Sequence, residues 1–248
     1  METLTPKRNK TIASSELDKL LIIDSPIDGT ILSTIPITSA VELNKIVLKA
    51  NEAYESWSQK TFKERSQVFF TYRNLLELHK TELATLCQKE NGKTFSESIA
   101  EIDKSIELCE FAISIPQIID NHVQEVSQGV ECRTERKPLG VVASITPFNF
   151  PNMVPHWSMP NAIMLGNVMI MKPSETVPLS TIRIAELLTE AGLPEGIFNI
   201  VQGGKEIVEA ICDHPLIKAV SFVGSTPIGG VVYKRATSNQ KRCVALGG

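Results

Sequence analysis

At 248 residues, with 42% hydrophobic and 21% charged side chains, the chain has the make-up of a globular protein that buries one large core or two small ones. A formal net charge of −3 gives no pull towards nucleic acid or an anionic membrane, and the most apolar stretch, 153–171, is interrupted by Pro155, His156, Pro160, Asn161 and Asn167, which argues against a membrane span. The five cysteines, Cys87, Cys109, Cys132, Cys212 and Cys243, are odd in number and lack a CxxC pair, so they read as reduced, mostly buried thiols of a cytoplasmic protein without a zinc site.

Residues 1–19 are polar and are expected to be loose, and METLTPKRNK has no apolar run behind its basic residues, so no secretory signal is expected. Two apolar runs in LLIIDSPIDGTILSTIPIT flank Ser25-Pro26 and Asp28-Gly29, a hairpin signal. From Ala40 the period changes: Leu43, Ile46, Val47, Ala50, Tyr54 and Trp57 form one helical face. A second helix is predicted from about Lys63 to Glu90, with Val68, Tyr72, Leu75, Leu76, Leu83 and Leu86 on its stripe and Asn91-Gly92 as its stop. A third carries Phe95, Ile99, Ile102, Ile106, Cys109 and Ile113 in register and is expected to end at Pro116. Residues 117–138 alternate apolar and polar, as an exposed two-stranded ribbon would, and read as an oligomerisation-type arm.

From 139 the chain alternates short β-rich runs (GVVASITP, NVMIMKP, FNIVQG, AVSFVG, RCVAL) with helical segments near 153–165, 179–191, 205–213 and 226–236. That alternation predicts an α/β fold with a Rossmann-like parallel sheet covered on both faces. The expected organisation is an N-terminal hairpin and helices (1–116) packed on a dinucleotide-binding core (139–248), with the arm between them.

Three short motifs in this half could carry chemistry. In GSTPIG, Gly224 ends a strand, Ser225 and Thr226 can cap a helix and Pro227 suits its first turn; helix N-termini attract phosphate. The chain lacks both a GxGxxG after its first strand and the Lys-Ser/Thr of a P-loop, so alone this turn reads as packing, whereas after the fourth strand of a nucleotide-type sheet it reads as a phosphate cradle. Lys172 and Glu175 in MKPSE follow the second strand, where such sheets meet the adenosine ribose; alone, the pair reads rather as a solvated loop with a capping glutamate. Asn149 in TPFNFP lies past the first strand, where an amide could stabilise an oxyanion, a task worth ~3–4 kcal/mol, or could satisfy a turn between Pro147 and Pro151.

Taken in this order, PLGVVASITPFNFPNMVPHWSMPNAIMLGNVMIMKPSE, AGLPEGIFNIVQG, HPLIKAVSFVGSTPIG and KRCVALGG resemble the N-terminal, cofactor-binding half of the aldehyde dehydrogenase superfamily, and within it the coenzyme A-dependent methylmalonate-semialdehyde dehydrogenase branch. The resemblance implies Asn149 as the oxyanion-hole amide and Thr146 and Phe148 as lining of the cofactor cleft. It implies Lys172, Glu175 and Thr176 at the ribose, Gly224 and Ser225 at the pyrophosphate, and Gly247 in the last cofactor-contacting segment. The implied cofactor is NAD, with room at Lys172 for the 2′-phosphate of NADP, and coenzyme A is the implied co-substrate. The implied reaction oxidises methylmalonate or malonate semialdehyde to propionyl-CoA or acetyl-CoA.

Three departures bear on that expectation. Where most of the family has a glutamate as base for thioester hydrolysis this chain has Ala245; water needs such a base, whereas a thiol with a pKa near ~8.5 is already partly thiolate. The branch's candidate arginine anchor for the substrate carboxylate corresponds to Lys104, which lacks a bidentate fork and reads as an exposed helix lysine. The family's nucleophilic cysteine lies further along than Gly248, and Cys243 reads as inert core. The expectation is therefore a chain able to bind cofactor but inactive alone, acting as a homo-oligomer or with a separate C-terminal half; the alternatives are a split-enzyme interaction module or another semialdehyde dehydrogenase.

Overall fold

The computed structural model describes residues 19–248, so the loose start expected for 1–19 lies, Lys19 apart, outside the described residues. Strands β1 (Leu20–Asp24) and β2 (Ile31–Pro36) pair antiparallel across a turn in which Ser25 N–H donates to Thr30 O at 2.8 Å. Gly29 takes φ 74° there, a left-handed conformation open to a residue without Cβ.

Four helices follow: α1 (Ala40–Trp57), α2 (Phe62–Leu78), α3 (Lys80–Asn91) and α4 (Phe95–Ile118). α1, α2 and α4 each open on a reciprocal capping box, Ser39 with Glu42, Thr61 with Glu64 and Thr94 with Glu97. The single helix predicted over 63–90 is instead two helices broken at His79, whose φ −95° and ψ 12° leave the helical region. The His79 side chain turns to Glu82 of the new first turn, Nδ1 to Oε2 at 2.6 Å, a local bond that apolar periodicity does not register. α4 also runs past Pro116, its expected end: the proline sits in the last turn, where only one hydrogen bond is lost, and Ile119 N–H closes on Ile115 O at 3.1 Å. On α2 the fully buried positions are Phe69, Tyr72 and Leu76, with Val68 and Leu75 at their flank; on α4, Phe95 is exposed and Ala112 and Ile115 continue the buried stripe.

β3 (Val123–Ser127) and β4 (Val130–Arg133) form a ribbon of their own, exposed at every residue. The rest is a parallel sheet with intervening helices: β5 (Val141–Ile145), α5 (Met153–Met164), β6 (Val168–Lys172), α6 (Leu179–Glu190), β7 (Phe198–Ile200), α7 (Lys205–Asp213), β8 (Ile217–Gly224), α8 (Thr226–Ser238) and β9 (Arg242–Gly247). The strand order is β7-β6-β5-β8-β9. β5 and β6 are buried at every position, which explains their unbroken apolar runs. α1 lies against β5, β6 and β7, while α2, α3 and α4 cover α5 and α6 from outside, and one hydrophobic core runs through helices and sheet together. Because β6 and β7 lie to one side of β5, and β8 and β9 to the other, the connections leave β5 and β8 in opposite directions and open a crevice at their carboxyl ends.

Candidate functional site

Strand register fixes the site. Ile145 of β5 pairs with Lys172 on β6 and with Phe222 on β8. Lys172 and the Gly224–Ser225 turn therefore leave the same edge of the sheet on either side of β5, two strand spacings or roughly 10 Å apart. Thr146, Phe148 and Asn149 leave β5 between them, Glu175 and Thr176 follow Lys172, and Gly247 pairs with Gly224 at the end of β9. The structure thus brings every residue expected from the motifs to one edge.

The start of α8 is tightly packed against its own chain. A Cβ on Gly224 would lie 2.7 Å from Cζ of buried Phe222, and one on Gly247 would lie 3.1 Å from Cα of Thr226, so neither position accepts a side chain without a shift. Ser225 is the N-cap, is exposed, and makes no capping hydrogen bond with its side chain. The N-termini of α5 and α6, by contrast, are filled by carboxylates from other helices. Glu101 of α4 accepts from Asn152 and Met153 N–H at 2.8 and 3.0 Å, and Glu90 of α3 accepts from Leu179 and Ser180 N–H at 2.7 and 2.8 Å. Two of the four helix starts at this edge already hold a carboxyl group; the start of α8 does not.

On the far side of β5, Lys172 is 4% exposed and its Nζ donates to Glu175 Oε2 at 2.7 Å, while Glu175 is partly open to solvent. Glu175 does not cap α6, the role left open for it above; that carboxylate is Glu90. Glu175 instead lies beside the N-terminus of α7: a Cβ on Gly204, the N-cap of α7, would sit 3.2 Å from its Oε1. None of the three motifs includes Gly204, although the Gly203-Gly204 pair between strand and helix marks a close backbone approach. Exposed Thr176 shares a 3.1 Å hydroxyl–hydroxyl contact with Ser174, and Thr146 is buried at the floor.

Phe148 and Asn149 are exposed above β5. His156, one turn into α5, is fully buried between Tyr72 Oη at 2.8 Å and Asn152 O at 2.7 Å, and burial pushes its pKa down to about 4, so it stays neutral and bound to protein at both nitrogens. Lys104 pairs with Glu107 at 2.6 Å on the outer face of α4. Ala245 is half-buried on β9, opposite Phe222. A cavity of about 870 Å³ opens at the other end of the strands, where it is lined by Arg65, Phe111, Leu139, Asn167 and Arg242, and it shares no residue with the site.

A family model, the aldehyde dehydrogenase family, matches residues 12–248. The chain belongs to the aldehyde dehydrogenase family. This family member is 42% identical over 231 residues to malonate-semialdehyde dehydrogenase 2 of Bacillus thuringiensis, covering 93% of the chain and 47% of that relative. It is 46% identical over 228 residues to the Geobacillus thermodenitrificans protein of the same name, covering 92% and 47%. The methylmalonate-semialdehyde dehydrogenase structure from Oceanimonas doudoroffii superposes with a TM-score of 0.90 at 41% identity, covering 92% of this chain and 47% of that one. A chain from Sinorhizobium meliloti, assigned as a methylmalonate-semialdehyde dehydrogenase and complexed with NAD, does so with a TM-score of 0.90 at 42% identity and the same coverage. The aldehyde dehydrogenase chain described here thus spans about half the length of the relatives it matches.

Proposed function

We propose that this chain provides the NAD-binding and oxyanion-stabilising part of a coenzyme A-acylating malonate- or methylmalonate-semialdehyde dehydrogenase. The observation that carries the reading is the uncapped start of α8, placed at the crevice beside β5 and on one edge with the Lys172–Glu175 pair. Bound NAD would supply the hydride acceptor for aldehyde oxidation. The Ser225 hydroxyl and the first N–H groups of α8 donate to its diphosphate, and Gly224 and Gly247 keep side chains out of that approach. Glu175 accepts from the ribose hydroxyls, Lys172 donates to them, and the bare Cα of Gly204 leaves them room, with Thr176 at the rim. A 2′-phosphate would meet the Glu175 carboxylate, which favours NAD over NADP. Thr146 and Phe148 wall the nicotinamide end, and the Asn149 amide donates to the aldehyde oxygen as charge develops on it.

Ala245 supports a thiol acceptor: the residue opposite Phe222 has no proton-accepting group to activate water, and coenzyme A needs none. Val244 and Leu246 on edge strand β9, and Val123, Val126 and Val130 on the ribbon, are exposed, which supports assembly with a further copy.

The experiment is a titration of the purified chain with NAD. Saturable binding is expected, weakened roughly tenfold by Glu175→Ala through loss of a charged hydrogen-bond acceptor. Absence of binding, or a titration indifferent to that substitution, removes the cofactor site from this edge.

A further inference from the structure

The loop from β5 to α5, which carries Asn149, is held at Phe148, Asn149, Phe150 and Asn152 by Asn91, Lys93 and Glu101 of the N-terminal helices. Asn91 Nδ2 donates to Phe148 O at 2.7 Å, and Lys93 Nζ donates to Asn149 O at 2.9 Å. The same ammonium lies 4.4 Å from the centre of the Phe150 ring and is paired with Glu101. Glu101, whose side chain is fully buried, uses its other oxygen to accept both Asn152 and Met153 N–H. Burying an ion pair carries a desolvation penalty that apolar packing would avoid, so its presence calls for a role that apolar side chains cannot fill. Here that role is visible: each charged end reaches past its partner to a backbone group of the loop. Among the described residues no hydrogen bond uses the Asn149 side chain, so its carbonyl is fixed while its amide stays available.

We propose that Lys93 and Glu101, with Asn91, form a clamp whose task is to aim the Asn149 side-chain amide. Fixing the carbonyls of Phe148 and Asn149 fixes the peptide planes on both sides of the Asn149 Cα, and with them the direction of the Cα–Cβ bond. An oxyanion donor is useful only if it is set in place before charge develops. All three are positioning residues; none reaches the reacting atoms. This inference rests on the reading of Asn149 as the oxyanion donor.

The test is hydrogen exchange and amide resonances of the isotope-labelled chain, for wild type, Asn91→Ala, Lys93→Met, Lys93→Arg and Glu101→Gln. Protection of the 148–154 segment is expected to fall roughly tenfold in Lys93→Met and in Glu101→Gln, the effect of one charged hydrogen bond on a local opening, with β5 and β6 unchanged. The Asn149 side-chain resonance is expected to move in Lys93→Met and to return towards its original position in Lys93→Arg, a rescue that a space-filling role would not produce. Asn91→Ala, a change at a partly exposed position, keeps the test available should a charge variant fail to fold; it too is expected to loosen the segment and move the resonance. An unmoved Asn149 resonance, or protection lost from β5 and β6 in equal measure, overturns the clamp. NAD titration of the wild-type chain is read separately: its failure removes the cofactor reading, while the exchange and resonance data decide the clamp.

Discussion

Glu90 is 2% exposed yet ionisable, and two opposing effects set its behaviour. Burial raises its pKa from 4.5 to about 7, against the pull of Ser180 and of the Leu179 and Ser180 N–H groups it caps; neighbouring Glu101 adds to the rise. A carboxyl whose folded pKa is raised holds its proton more tightly in the folded state. Its contribution to stability is therefore complete below pH 4.5 and is lost as pH climbs through about 7. The full span is worth ~3 kcal/mol at most. Urea unfolding of wild type and Glu90→Gln across that range checks it: the stability of wild type relative to the variant is expected to decline from acid to neutral pH. A flat difference would mean that the helix start of α6 holds Glu90 ionised throughout.

At the scale of the element, α5 is charged at both ends by other helices. Glu101 meets its positive N-terminus, and Arg65 of α2, 5% exposed, meets its negative C-terminus, Nε donating to Met164 O at 2.8 Å and Nη1 reaching Lys60 O at 2.5 Å. Both placements suit the helix dipole and satisfy end groups that α5 cannot satisfy itself. Arg65→Met keeps the stem and removes the donors, and is expected to lower unfolding free energy by roughly 3 kcal/mol, read from the shift in urea midpoint. A loss within the scatter of surface substitutions would show that the Met164 and Lys60 carbonyls find other donors. These caps also mark where reading the chain stops. The capping boxes of α1, α2 and α4 each lie within four consecutive residues, and the β-rich runs from 139 onward announce the sheet. Glu90 reaches Leu179 across 89 positions and Glu101 reaches Asn152 across 51, distances over which no local pattern carries information. Hence GSTPIG, MKPSE and TPFNFP are legible as candidates, each lying at the end of its strand, whereas Asn91 reads only as part of a helix stop and nothing in the local sequence marks Lys93 or Glu101, which hold one of those loops in place.

Across the whole molecule, the parallel sheet sorts functions by strand end. Candidate binding groups gather at the carboxyl edge because βα turns place helix starts and loop tips there, while the opposite edge carries the 870 Å³ cavity and the base of the ribbon. The cysteines are on the wrong side of this division, or too deep, to act as a nucleophile for Asn149. Cys243 pairs with Val220 near the amino end of β9, and burial raises its pKa. Burial likewise raises Cys87, takes Cys109 to about 12 and takes Cys212 to about 11, so these remain thiols at neutral pH. Cys132 is exposed, but on the ribbon. The chain is therefore expected to produce no NADH when given NAD, coenzyme A and either semialdehyde, and brief treatment with iodoacetamide is expected to label Cys132 ahead of the other four. Turnover at enzyme-like rates, or a second cysteine alkylated as fast as Cys132 and protected by aldehyde, would show that one of these thiols does reach the carboxyl edge and that the sheet does not divide the chemistry as its topology indicates.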